Sequence, residues 1–442
     1  MPVLSSLRPS FLRRLALAAC TAAAAVALAA SHAQAQTVVT MWTFLDPAKT
    51  SGREVALKGM IDSFEKANPS IKVKVEPQVF SELMAKFLAA HNTGGAPDII
   101  WVNTENMGAL MKSGAAADLN ELIVSKWGSG ADADFFVRAG WEASVEGKKR
   151  AAVPLFHATT SLFYRKDLFK AAGIDPASIK TWDQLTEAAK KLTVDTDKDG
   201  RIDIYGFGTP LSTERTGGTT AFTVMLVGGG KPWTSSCKAN YADDVGVRAV
   251  QWHVDMITKY NAMPKEIIAN HVDDVADQFT AGRYAIAVMP FARYSQVASQ
   301  AKWGGDNLGI LPWPNWTADK PGPQQVQGWW AAVWSKSKRA PEAAKFVEWM
   351  INQDSVRAWA VTGGQVPTRM SIWKEPAMRQ PKFDYMQAVV DGWSKNSFLV
   401  PLDCNTARFD ADWNQAVQRV LVGGKTPKEA MQEAEKTFAS RQ

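Results

Sequence analysis

Residues 37–103 constrain the fold of this 442-residue chain more than any other stretch. "TVVTMWTF" (37–44) is a short apolar run of strand type. "VALKGMIDSFEKANP" (55–69) then takes the period of an amphipathic helix, which Asn68-Pro69 ends. "IKVKVEP" (71–77) alternates as a strand. "SELMAKFLAAHNTGG" (81–95) returns to the helical period and stops at glycines, and "PDIIWVN" (97–103) is an apolar strand. Strands alternating with helices imply an α/β domain with largely parallel pairing.

The pattern continues downstream. "AAVPLFHATTSLFYRKDLFKAAGI" (151–174) is strand-rich and leads into a helix. "TWDQLTEAAKKL" (181–192) opens with a capping box, Thr181 as N-cap and Gln184 three residues on. "ADQFTAGRYAIAVMPF" (276–291) reads as helix, glycine break and strand; "APEAAKFVEWMINQ" (340–353) is a helix with Pro341 at its start. No internal repeat is evident. The length exceeds one ordinary core and implies two domains.

The first 35 residues read as a signal peptide. Arg8, Arg13 and Arg14 precede the apolar run "LALAACTAAAAVALAA" (15–30), and "AQA" ending at Ala35 offers a cleavage site. "LAAC" ending at Cys20 resembles a lipoprotein box, but the long apolar run follows it, which favours cleavage after Ala35 over lipid anchoring. No later apolar stretch is long enough to span a membrane, so the expected mature protein is exported and soluble. The formal charge of +6 falls to +3 once the three signal arginines leave. Basic residues are dispersed, without the basic, aromatic-laced stripe of a nucleic-acid binder. Cys237 and Cys404 remain in the mature chain; an oxidising compartment permits their pairing, and the sequence leaves it open.

Several segments, in order, resemble the extracellular solute-binding proteins of bacterial ABC importers, in particular the sugar-binding family that includes maltose-binding protein. They are "GGAPDIIWVN", "YRKDLFKAAGIDPASIKTWDQL", "FTAGRYAIAVMPF", "QGWWAAVWSKSKRAPEAAKFVEWM", "GGQVPTR" and "LVGGKTPKEAMQEA". The resemblance covers nearly all of the mature chain. It implies two α/β lobes joined by three crossings, a ligand held between them and hinge closure around it. The closed form would be recognised by a membrane permease. We place the first lobe at 36–156 and 290–352 and the second at 157–289 and 353–442. The expectation is a periplasmic monomer that is not an enzyme, needs no cofactor and binds a carbohydrate rather than nucleic acid.

Sugar rings have apolar faces and polar rims, so aromatic side chains and hydrogen-bonding groups must converge. Of the 18 tryptophans, Trp329 and Trp330 in "VQGWWAAVW" stand out, because alternation sends adjacent strand residues to opposite faces. One of the two is expected at the cleft and the other in the core. Trp42 and Phe44 close the first strand, where open α/β sheets bind ligands. Polar candidates are Asn103 and Glu105 after the "PDIIWV" strand, His157 in the first crossing, Arg293 after the second, and Arg408 and Asp410 in "TARFDADW". Each competes with an ordinary surface or salt-bridge role. A phosphate-bearing ligand would call on Arg293, Arg369 and Arg408, giving a polyol or sugar phosphate as the alternative ligand.

"DTDKDGRID" (195–203) has calcium-loop spacing: Asp195, Asp197 and Asp199 at one, three and five, Gly200 at six, the Arg201 carbonyl at seven and Asp203 at nine. Position twelve is Gly206, where an EF-hand has its bidentate glutamate, so a structural calcium would lack one ligand. "GGKT" (423–426) fails as a phosphate loop because Arg419 stands where the first glycine belongs; it reads as a helix end followed by an N-cap. There is no zinc motif, nucleophile elbow or matched nucleophile–base cluster. A carboxylate pair assembled by folding, as in a secreted carbohydrate-active hydrolase, is the enzyme alternative.

Overall fold

The computed structural model describes residues 36–213, 221–234, 237–402, 404 and 409–442. The signal segment and Arg408 lie outside the described residues. The strands that organise the chain are β1 (Thr37–Thr43), β2 (Ile71–Pro77), β3 (Ile99–Asn103), β4 (Val153–Ala158), β5 (Thr160–Arg165), β6 (Tyr205–Gly208), β7 (Tyr284–Pro290), β8 (Leu308–Leu311) and β9 (Gln327–Val333).

Two sheets result. The first has the order β2-β1-β3-β9-β4 and the second β8-β5-β7-β6. β1 pairs in parallel with β2 and β3, the strands reached through helices Gly52–Ala67 and Leu83–Thr93. β9 runs antiparallel to both β3 and β4, and in the second sheet only β6 and β7 are parallel. The sheets are therefore mixed, where largely parallel pairing was expected. Strands joined by a crossover helix pair in parallel. β9 enters the first sheet from the other lobe and meets it in the opposite sense.

Local signals held where they were strong. Thr181 Oγ1 accepts from the Gln184 amide at 3.2 Å and the Gln184 side chain accepts from the Thr181 amide at 3.0 Å, which starts helix Trp182–Leu192. At "GGKT", helix Phe409–Leu421 ends, Gly424 takes φ 64°, and Thr426 caps helix Pro427–Ala439. Among the described residues, no helix is long and apolar enough to cross a membrane.

Each sheet carries its own core, and the cores redraw the expected lobe boundaries. β8 pairs with β5, and Val297, Leu308, Leu311 and Trp313 are buried with the second sheet, so the chain stays in the second lobe beyond residue 290. Helices Ala340–Met350 and Gln353–Val361 pack on the first lobe, with Phe346 and Trp359 in its core. A third cluster joins Val356 and Ala360 to residues 366–393, including Trp373 and Trp393. The chain crosses three times, near 159, 325 and 398. These crossings are bonded together: Gln324–Gln325 forms a parallel two-residue ladder with Ser397–Phe398, and Thr159 Oγ1 donates to the Gln325 carbonyl at 2.9 Å. A hinge made of three tied strands lets two rigid cores turn about one line.

Cys237 and Cys404 form a disulfide, with Cα atoms 5.4 Å apart across 167 residues of sequence. The bond ties the loop carrying Trp233 to the segment that leads into helix Phe409–Leu421. Trp233 packs there against Phe409 and Trp413 at 5.5 and 5.7 Å.

Candidate functional site

β9 runs opposite to β1 and β3, so its start lies beside their ends, with Trp329 opposite Asn103. This edge faces the second lobe. It gathers the residues that follow β1 and β3 and those that begin β9.

The aromatic part is built on Phe44. Its ring lies 4.4 Å from Trp329, 5.8 Å from Phe80 and 6.1 Å from Trp101, measured between centroids. Phe80 also meets Trp329 edge-on at 5.4 Å and is itself 56% exposed. Trp329 is 7% exposed, so it supports Phe44 and Phe80 from below instead of lying open. Trp330 is fully buried on the opposite face, its indole N–H donating to the Gly140 carbonyl at 3.0 Å. The β9–β4 register slips between these two tryptophans.

Gly328 makes this edge possible. Its φ is +148°, and a Cβ there would come within 2.4 Å of the Phe156 carbonyl oxygen on β4. The close approach that needs glycine is thus strand backbone, not ligand. The Gly328 amide donates to Thr104 Oγ1 at 3.0 Å, which locks the start of β9 to the end of β3.

The polar part crosses the lobes. Glu105 follows β3 and keeps a solvent-accessible side chain, while surrounding protein desolvates its carboxyl and raises its pKa. Accessibility with dense surroundings is the signature of a group lining a cleft. Asp410, in the first turn of helix Phe409–Leu421, is buried, and the Thr223 hydroxyl donates to it at 3.3 Å. Burial first, and then the charges of Glu105 and Asp412, hold the Asp410 carboxyl well above the usual range. The Glu105 charge therefore reaches Asp410 across the two lobes. Carboxyl oxygens at such a place can accept hydrogen bonds from sugar hydroxyls.

Other expected residues sit elsewhere. His157 is 3% exposed and packs between the edges of Trp330 and Trp393, both at 5.7 Å, so it is part of the hinge core. Burial depresses its pKa to about 3 and keeps it neutral. Asn103 spends its side-chain oxygen on the Asn106 amide at 3.2 Å and the Asn106 side chain at 2.7 Å, starting the turn that carries Glu105. Trp42 donates from its indole to Glu76 on β2 at 2.8 Å and makes no ring contact with Phe44. Arg293 is paired with Asp273 and bonds Gln296 at 2.8 Å. Arg369 is paired with Asp134 at 3.3 Å. Sequence reasoning missed Phe80 and Thr223. The apolar pair Val79-Phe80, between a strand end and a helix start where polar residues are usual, was a signal for the first.

The acidic loop lies apart from this site. Carboxylate oxygens of Asp195, Asp197 and Asp203 come within 4.8 Å of one another, and Asp199 is outside that group. The same carboxylates accept backbone amides of the loop, Lys198 to Asp195 at 2.7 Å and Thr196 to Asp203 at 2.7 Å among them. Three oxygens at this spacing suit a hard cation, but Gly206 in β6 brings no fourth side chain.

Two α/β lobes on a tied three-strand hinge, with aromatic and carboxyl groups converging between them, define a two-lobed periplasmic-binding-protein fold. The chain belongs to the bacterial extracellular solute-binding proteins, whose family pattern it matches over residues 49–356. It is 24% identical over 365 residues to the arabinooligosaccharide-binding protein of Bacillus subtilis, covering 80% of this chain and 78% of that protein. It is 24% identical over 375 residues to the sn-glycerol-3-phosphate-binding periplasmic protein UgpB of Pectobacterium atrosepticum, covering 80% and 79%. Among solved structures, the sugar-binding protein MalE from Xanthomonas citri has a TM-score of 0.74 at 21% identity, covering 91% of this chain and 96% of that one. The GacH receptor of Streptomyces glaucescens has a TM-score of 0.72 at 22% identity, covering 92% and 98%. These structures share the fold.

Proposed function

We propose that the protein is the periplasmic substrate-binding component of an ABC sugar importer. It captures a sugar or oligosaccharide between its lobes and delivers it to a membrane permease, acting as a monomer. The observation that carries this reading is the convergence of the Phe44–Phe80–Trp329 group with Glu105 and Asp410 from opposite lobes. The aromatic face suits the apolar side of a pyranose, and the carboxyls suit its hydroxyls. The relatives, an arabinooligosaccharide-binding protein among them, support the same class of ligand. Closure about the hinge would bury the ligand and present both lobes to the permease together.

The carboxyl pair is also what a glycosidase would need. One experiment addresses both readings: thermal-shift screening of the mature protein against a carbohydrate and polyol panel, with recovery and mass analysis of each hit. A ligand bound only by the folded state raises the apparent melting temperature. The expected result is stabilisation by at least one sugar, recovered unchanged. Recovery of cleaved sugar would replace binding with hydrolysis, and a panel without any stabilising carbohydrate would overturn the reading.

A further inference from the structure

Arg53 opens helix Gly52–Ala67 and is half-buried. Its guanidinium lies over the Phe44 ring, 5.6 Å from the centroid. Among the described residues it has no hydrogen-bond acceptor and no ion-pair partner. The adjacent Glu54 acts on its charge, but that carboxylate is turned back to accept the Ser51 amide at 3.2 Å. Burial is the larger influence and lowers the Arg53 pKa. A guanidinium carries five N–H donors, and partial burial without acceptors is unfavourable. The arginines that sequence offered for an anionic ligand within the described residues, Arg293 and Arg369, are already paired. Arg53 is not, and it stands at the aromatic group.

We propose that Arg53 is a specificity residue that takes an anionic group of the ligand, a carboxylate or a phosphate, while the sugar ring lies on the exposed Phe80 and its hydroxyls reach Glu105 and Asp410. The favoured ligand is then an acidic sugar, a uronate-bearing saccharide or a sugar phosphate, in place of a neutral one. This rests on the carbohydrate-binding reading above and narrows it. A fork of parallel N–H donors matches either oxyanion geometry.

The test is titration calorimetry of the mature protein with matched pairs: digalacturonate against its neutral galactose disaccharide, and glucose 6-phosphate against glucose. A neutral oligosaccharide panel runs alongside. The charged member of one pair should bind about 10- to 100-fold more tightly, as one charge-assisted contact implies, and which pair responds tells carboxylate from phosphate. Arg53→Gln should abolish that ratio at an unchanged melting temperature, and Arg53→Lys should restore part of it. Equal binding within both pairs, a ratio unaltered in Arg53→Gln, or tight binding confined to the neutral panel overturns the proposal while leaving carbohydrate binding intact. Failure of every carbohydrate, charged or neutral, overturns both.

Discussion

Replacing Phe80 by alanine separates the binding face from the core beneath it. The ring is 56% exposed and makes two edge contacts, with Phe44 and Trp329. Its removal should lower folding stability by about 1 kcal/mol, the scale of one such aromatic pair. The loss in binding should be larger. A sugar ring covering roughly 50 Å² of the phenyl face is worth about 1.3 kcal/mol at ~25 cal/mol per Å². Ring-face geometry adds about 0.5–1 kcal/mol. Together these give about 2 kcal/mol, or ~30-fold in Kd. Trp330→Ala should do the reverse. That side chain is fully buried and bonds the Gly140 carbonyl, so truncation should cost about 3–5 kcal/mol of stability, while the folded fraction keeps its affinity. Trp329→Ala should lose both, because the residue is nearly covered and also supports Phe44 and Phe80. Urea denaturation and calorimetry with a sugar from the panel measure the two quantities separately. Wild-type affinity in both Phe80→Ala and Trp329→Ala would refute the placement of the sugar on this face.

Three further outcomes are expected. His157 and His253 are buried and neutral, with pKa values lowered by burial from 6.5 to about 3 and about 4. The unfolded chain takes up these protons first as pH falls, so stability present above pH 6.5 is lost below it. The loss should reach about 2 kcal/mol per histidine at roughly pH 5; denaturant titrations across pH should show a shallower slope for His157→Asn, and an unchanged slope would remove that histidine from the account. Reducing the Cys237–Cys404 bond opens a loop spanning 167 residues, worth up to about 5 kcal/mol by chain entropy; equal melting temperatures with and without reductant, thiols confirmed, would argue against it. For the acidic loop we propose calcium binding remote from the sugar: millimolar calcium should raise the melting temperature, and chelator should reverse this without changing sugar affinity. No thermal response, together with no calcium by elemental analysis, would exclude the ion.

Much of the architecture was legible because the signals are local. The strand and helix periods of residues 37–103, the Thr181 and Thr426 caps and the order of the family-like segments act over a few residues at a time. Alternation also required Trp329 and Trp330 to face opposite ways. The sequence alone therefore determined the α/β class, and the family resemblance of its segments implied two lobes and a hinge. What covers each tryptophan was another matter, because that depends on what packs on either side of β9, and the covering groups come from Phe44, Phe80 and Gly140. The lobe assignment of residues 290–323 and 353–396 depended likewise on pairing of β8 with β5 and on Trp359 entering the first core. His157 looked like a ligand in the crossing until Trp330 and Trp393 enclosed it. The Cys237–Cys404 bond, the influence of Glu105 on Asp410, and Arg53 beside Phe44, without an ion-pair partner among the described residues, are likewise products of tertiary structure. Each joins or isolates groups far apart in the chain. Periodicity and capping carry no information about such distances; they arise only when two sheets and their crossings pack into one shape.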